Sequence, residues 1–200
     1  MPAPIRFFFD FTSTYSYIAV QKIDDLAARY GRSVDWSAVS LGHLFQAQGV
    51  QAPPLIPAKF NYLKIDFARS CAFASLPCRL PDPFPPEVKL ARYTFWRLKA
   101  RDEMLSHAFA RAVTSATFGR GDSVATATEI AAACKDVPGV SLDDIVAAET
   151  DVGAKRAVIT SLKTAQDVGM NGAPYMILDG EPFWGADRLV QLEARLAAAR

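Results

Sequence analysis

Strand patterns occur only near the two ends of this chain, and everything between them reads as helix or proline-rich loop. Residues 5–11, Ile5-Arg6-Phe7-Phe8-Phe9-Asp10-Phe11, are dense in aromatics and predict a buried strand. Residues 15–30 carry Tyr17, Ile18, Val20, Ile23, Leu26 and Ala27 at three- and four-residue spacings, which predicts a helix, with Gly31 as its stop. Residues 34–39 alternate as a second strand. Residues 48–57 are a proline-rich loop, and 77–86 are another. Helical patterns cover 58–76, 87–100, 103–118, 123–135, 142–149 and 151–168, with Ser123 and Ser141 standing where N-caps belong. Strands return at 175–178 and, after the Asp179-Gly180 turn, at 182–184, before a final helix over 187–199. A βαβ opening favours a parallel α/β sheet. The simplest assembly is an α/β core, βαβ…ββα, split by a large all-helical insertion. Its expected boundaries are 1–45 plus 168–200 for the core and 46–167 for the insertion.

Charge and cysteine counts narrow the function. Lys and Arg total 22 against 21 Asp and Glu, a net charge of +1. That balance argues against a polybasic nucleic-acid binder and against an acidic disordered chain. A chain of 200 residues buries roughly 70% of its unfolded surface and needs no covalent staple. Cys71, Cys78 and Cys134 form no C-x-x-C, and His43 and His107 lie far apart, so neither a disulfide framework nor a metal site is expected. The first apolar run is broken by Asp10, too short for a signal core or a membrane span. The expectation is a cytoplasmic protein with no membrane or nucleic-acid partner. The three cysteines and His107 read as core side chains (His107 alternatively as a surface one). Arg92, Arg97, Lys99 and Arg101 read as a solvated helix face.

Three segments could carry chemistry. Ser13 stands between the first strand and helix, where its hydroxyl caps free N–H groups. The same helix N-terminus, with its partial positive charge, would also stabilise an anion such as a thiolate. No cysteine lies there, so a thiolate would come from a ligand. Gly172-Ala173-Pro174-Tyr175 is a turn, or a cis-proline that presents the preceding backbone to an extended ligand. In Phe183-Trp184-Gly185-Ala186-Asp187, the acidic residue is a first-turn charge, or the partner of a ligand ammonium.

Taken together, these strings resemble a known family. Phe9-Asp10-Phe11-Thr12-Ser13-Thr14-Tyr15-Ser16-Tyr17-Ile18-Ala19 is similar to the F-D-[FL]-x-S-P-[YF]-S-Y-L-A opening of glutathione-dependent 2-hydroxychromene-2-carboxylate isomerases, relatives of kappa-class glutathione transferases and DsbA-type oxidoreductases. Pro57-Ala58-Lys59 with Tyr62 and Asp66 resembles their P-A-K-x-x-Y-x-x-x-D helix, Gly172-Ala173-Pro174-Tyr175-Met176 their G-V-P-T-[FM], and Phe183 to Leu189 their [FW]-[FW]-G-x-D-R-L. The anchors run in order from residue 9 to 189. The resemblance implies a thioredoxin-like core and glutathione as cofactor. It implies Ser13 as the catalytic hydroxyl facing the glutathione sulfur. Ala173, before cis-Pro174, would bond the tripeptide backbone, and Trp184, Gly185, Ala186 and Asp187 would hold its γ-glutamyl end. Phe84, Pro53 and Pro54 fall on the side of the organic substrate, and the resemblance implies a homodimer. Lys59, Lys64 and His43 are candidates to meet a substrate carboxylate. The chain departs from the family pattern at Thr14, where the family has proline, at Ala186, and at Phe45, near a basic substrate contact of some isomerases. A kappa-like transferase and a non-catalytic binding protein are the alternatives. A dithiol oxidoreductase is disfavoured, because Ser13-Thr14-Tyr15-Ser16 holds no cysteine.

Overall fold

The computed structural model describes residues 3–198. Strand β1 (Ile5–Phe9) runs parallel to β2 (Val34–Ala38), and helix α1 (Thr14–Arg29) makes the crossover. On its other side β1 pairs antiparallel with β3 (Tyr175–Leu178), which forms a hairpin with β4 (Glu181–Trp184). The sheet order is β2-β1-β3-β4. Between β2 and β3 come α2 (Leu41–Ala47), α3 (Pro57–Phe73), α4 (Lys89–Arg101), α5 (Glu103–Thr114), α6 (Ala127–Ala133), α7 (Leu142–Ala148) and α8 (Val152–Asp167), and α9 (Leu189–Ala198) follows β4. The expected α/β core with a helical insertion is the observed architecture.

The apolar run in β1 has a direct cause. Side chains alternate across a sheet, and here both faces are covered. Phe7 and Phe9 point into the larger core, while Phe8 packs with Val39, Leu44 and Tyr175 on the opposite face. Phe7 meets Trp36 edge-on at 5.0 Å, and Phe9 meets Phe95 of α4 at 5.2 Å. Phe11 reaches Phe109 of α5 at 6.1 Å. The large core therefore runs from the sheet into the helical segment without a break. Aromatic pairs of this kind contribute about 0.5–1.5 kcal/mol each beyond their buried area.

Helix ends follow local chemistry where the cap is local. Gly31 takes φ +66 after α1, with Arg32 N–H donating to the Ala27 carbonyl at 3.0 Å. Ser141 caps α7 in a reciprocal box with Asp144, as its position predicts. Ser123 is not a cap: α6 starts at Ala127, with Thr126 and Glu129 forming the box. The expected 103–118 helix instead ends at Thr114 and runs into a π-helical turn, Ser115–Arg120, stopped by Gly121 at φ +76. Helix α2 was not legible in the sequence. Its N-terminus is satisfied by Asp10, whose Oδ2 accepts from Leu41 N–H at 2.6 Å across 31 positions of sequence. The final helix begins with a 3-10 turn, Ala186–Arg188, and its expected last residue, Ala199, lies outside the described residues.

Two expectations are corrected. The basic residues of α4 are not a solvated face. Arg92 is buried and pairs with buried Asp10 at 2.8 Å, Arg97 pairs with Asp151 at 2.7 Å, and Lys99 with Asp35; only Arg101 is largely exposed, at 51%, and it too pairs with Asp144. The reason is that α4 packs against α5, α7, α8 and β2, so its cations meet carboxylates brought from distant segments. Nor are all three cysteines core: Cys71 and Cys134 are buried, whereas Cys78 is exposed. His107 is a buried histidine. It stacks on Trp36 at 4.2 Å, with Nδ1 2.9 Å from Asp24 Oδ2, and its Nε2 has no partner among the described residues.

Candidate functional site

The turn between β1 and α1 builds the centre of the site. Ser13 is the N-cap of α1, and its Oγ accepts from Ser16 N–H at 3.1 Å. The same hydroxyl donates to the Ala173 carbonyl at 3.0 Å, and Ser13 is 8% exposed. The Ala173–Pro174 bond is cis. The cap and the proline loop, 160 residues apart in sequence, thus meet at one hydroxyl. The first turn of a helix leaves N–H groups outside the ladder and a partial positive charge beside them. This arrangement favours an anion next to Ser13.

Asp10 holds that turn in place. Its backbone carbonyl accepts from Ser13 N–H at 3.0 Å, its Oδ1 accepts from Thr12 N–H at 3.1 Å, and its N–H donates to Ser16 Oγ at 3.3 Å. Arg92 neutralises the carboxylate and also donates from Nε to the Val39 carbonyl at 2.8 Å. A buried carboxylate needs such pairing, because leaving water uncompensated costs several kcal/mol. Asp10 stood in the sequence motif, but its partner Arg92, 82 positions away, was missed.

The β3–β4 hairpin and the turn into α9 supply the second half. Gly185 N–H donates to the Pro174 carbonyl at 2.9 Å, locking the segment after Trp184 against the proline loop. Gly185 has φ +111, where a side chain would be strained, and a Cβ there would run into the Asp187 carboxylate. The Trp184 ring lies over Gly172: a Cβ at Gly172 would sit 2.8 Å from the indole Nε1. Trp184 is 54% exposed, and the Asp187 side chain is 72% exposed, 3.6 Å from Arg188.

A cleft of about 1320 Å³ opens beside these groups, between α1, α3 and the turn into α9. Ala173, Trp184, Gly185, Ala186 and Asp187 line it. Ser13 lies behind Ala173, tied to it by the hydroxyl bond. Five of the six expected glutathione residues therefore share one wall, and the sixth is bonded to it. The opposite wall carries groups to which sequence reasoning gave no role. Tyr15 Oη donates to Asp66 Oδ2 at 2.7 Å, Tyr62 Oη donates to Asp66 Oδ1 at 3.3 Å, and Arg69 pairs with Asp66 at 3.1 Å. Burial, then the hydrogen bond to the Asp66 carboxylate, pushes the Tyr15 phenol well above its ordinary value, so it stays a donor. The i, i+4 spacing of Tyr62 and Asp66 was the available signal.

Phe84, Pro53 and Pro54 lie outside the lining of that cleft. Phe84 stacks on Phe60 of α3 at 5.5 Å, and Lys64 Nζ stands 4.9 Å from the Phe60 ring centre. Pro53 and Pro54 form the 3-10 turn Pro53–Leu55 just before α3. Of the candidate cations, Lys64 joins the aromatic pair, Lys59 is exposed on the first turn of α3, and His43 Nδ1 lies 2.8 Å from Ser40 Oγ.

Comparison with known proteins adds four findings. The profile of the DSBA-like thioredoxin domain matches residues 4–197. A 2-hydroxychromene-2-carboxylate isomerase of Sphingobium xenophagum is 30% identical over 202 residues, covering 98% of this chain and 99% of that protein. The glutathione S-transferase kappa 2 of Caenorhabditis elegans is 26% identical over 216 residues, covering 96% of this chain and 91% of that protein. A solved 2-hydroxychromene-2-carboxylate isomerase superposes with a TM-score of 0.85 at 24% identity, covering 98% of this chain and 96% of that one, a likeness of fold.

Proposed function

Since the chain belongs to the DSBA-like thioredoxin domain family, we propose that it is a glutathione-dependent isomerase of the 2-hydroxychromene-2-carboxylate type. The observation that carries this reading is the Ser13 hydroxyl, fixed at the N-terminus of α1 against the residue before cis-Pro174, where a redox cysteine pair is absent from the Ser13-to-Ser16 turn. The isomerase relative at 30% identity, matched over nearly its whole length, supports the same reaction class.

The residues present fit the tripeptide. Ala173, on the cleft wall before cis-Pro174, offers its backbone to an extended peptide, and Asp187 presents an exposed carboxylate to an α-ammonium group. Glutathione, when bound, supplies a thiolate that adds reversibly to an electrophilic carbon of the carboxylate substrate. Ser13 Oγ turns its proton from the Ala173 carbonyl toward that sulfur. Its hydrogen bond and the α1 N-terminus favour the thiolate over the thiol, whose free pKa is about 8.5. Trp184 covers the peptide end of the site. Phe84 stacked on Phe60, with Lys64 beside it, forms an aromatic and cationic surface suited to an aromatic carboxylate. The reading extends to a cytoplasmic protein, as the cysteine usage and the short first apolar run lead one to expect, and to a homodimer, as the family resemblance implies.

A second reading is a kappa-like transferase, favoured by the 26% identical C. elegans protein. Stoichiometry separates the two: an isomerase turns over many substrates per glutathione, and a transferase consumes one each time. The first test is calorimetry with reduced glutathione. Saturable binding is expected, weakened several-fold in Asp187→Ala and retained in Ser13→Ala, which loses turnover of 2-hydroxychromene-2-carboxylate. No binding at millimolar glutathione would overturn both readings.

A further inference from the structure

The cleft wall opposite Asp187 carries groups without a part in the thiolate chemistry, and they meet on Asp66 of α3. Asp66 Oδ2 accepts from Tyr15 Oη at 2.7 Å, and Oδ1 accepts from Tyr62 Oη at 3.3 Å and from Arg69 Nη1 at 3.1 Å. Arg69 gives Asp66 that one nitrogen only: its Nε and Nη2 have no partner among the described residues. The side chain is 64% exposed and lines the cleft. An exposed ion pair three positions apart on a helix adds little to stability, so Arg69 is available to a ligand. The Asp66 group is also held near the turn that bears Asp187. Tyr15 and Ala186 pack on one apolar cluster, that of Tyr17, Ile18, Phe67, Cys71 and Phe118, and the Ala186–Arg188 turn rests against α1. Other cations are placed differently. Arg29 pairs with Glu193 at 2.9 Å. Lys22 stands about two helical turns beyond Tyr15 on α1. Arg188, 3.6 Å from Asp187, is not among the residues that line the cleft.

We propose that Arg69 sets specificity for the γ-glutamyl end of the tripeptide by pairing with its α-carboxylate, an inference that rests on the glutathione reading above. The α-carbon of that end bears an ammonium and a carboxylate together. A site that selects it needs an anion and a cation facing one space. Asp187 supplies the first from one wall of the cleft, and Arg69 supplies the second from the other. Arg69 keeps Nη1 on Asp66 and turns its Nε–Nη2 edge to the ligand. That edge is a planar fork matched to the two oxygens of a carboxylate, which a lysine ammonium is not. Two phenols hold Asp66, so the guanidinium is oriented before the ligand arrives, and less ordering is left to binding. The cleft thereby favours γ-glutamyl thiols over thiols without an amino-acid end.

The test is calorimetry on the full chain with three reduced peptides. Glutathione carries both groups, γ-aminobutyryl-cysteinyl-glycine keeps the ammonium and lacks the α-carboxylate, and glutaryl-cysteinyl-glycine keeps the carboxylate and lacks the ammonium. Arg69→Gln is expected to weaken glutathione and the glutaryl peptide by about tenfold each, the loss of a charged hydrogen-bond partner. The same variant is expected to weaken the γ-aminobutyryl peptide by less than about twofold, because no carboxylate is there to lose its partner. Arg69→Lys recovers part of the loss, since it keeps the charge without the fork. Equal losses for all three peptides, or none with glutathione, would overturn the proposal and leave the glutathione reading standing. The same pattern in Arg188→Gln, with Arg69→Gln unchanged, would give the carboxylate to Arg188 and overturn it too. A wild type that binds none of the three would overturn both.

Discussion

Arg92 is the residue whose removal tests the frame of the site most directly. Asp10 and Arg92 are both buried, and Asp10 is bound to the turn that carries Ser13. Arg92→Leu leaves a buried carboxylate with backbone donors but no cation, and a loss of about 3–5 kcal/mol is expected. Guanidinium unfolding measures it, and a loss below about 1 kcal/mol would show that Asp10 is adequately served by Leu41 and Thr12 alone. Gly172 tests the opposite case, a residue that matters to ligand and not to fold. A methyl group there meets the exposed Trp184 ring, which is free to swing outward. Gly172→Ala is expected to leave the thermal midpoint within a few degrees, alter tryptophan emission, and weaken glutathione by about 1 kcal/mol, several-fold in Kd. An unchanged Kd would remove Trp184 from the binding surface.

At the scale of elements, Asp24 joins three of them. From α1 it accepts from Trp36 Nε1 of β2 at 2.9 Å, pairs with Arg111 of α5 at 2.6 Å, and meets His107 of α5. Burial by itself raises this carboxyl. The contacts with His107, then Trp36 and Arg111, outweigh burial and hold it below its ordinary value. A depressed carboxyl contributes stability that is present above its unfolded pKa, about 3.9, and is lost as pH falls through its folded value. Denaturant unfolding from pH 6 down to pH 2 is therefore expected to show a shallower decline for Asp24→Asn than for the wild type. Equal slopes would show that the cluster holds the helices by packing alone. The same elements show what periodicity can reveal. Helix α1 and strand β3 were legible almost to the residue, because a helix stripe and a short apolar run with local stops are written in neighbouring positions. Helix α2 and the paired cations of α4 were not, since Asp10 and Asp151 reach them from far away in sequence.

Across the whole molecule, the order of strands and helices was readable because the pattern changes period only twice. The candidate site could be named for a different reason: its residues cluster in three short strings, and each string is a turn with a backbone task. What the strings could not disclose was their mutual geometry. Nothing near Ser13 announces that its hydroxyl rests on the Ala173 carbonyl, and nothing near Tyr62 announces Tyr15. The closure across 160 residues also has a consequence for the newborn chain. As the polypeptide leaves the ribosome, Ser13 emerges well before the proline loop, β3 and β4. The nascent protein can therefore collapse much of its helical segment while the Ser13 hydroxyl still lacks the carbonyl that orients it. That contact is completed late and all at once, when the β3–β4 hairpin zips onto β1.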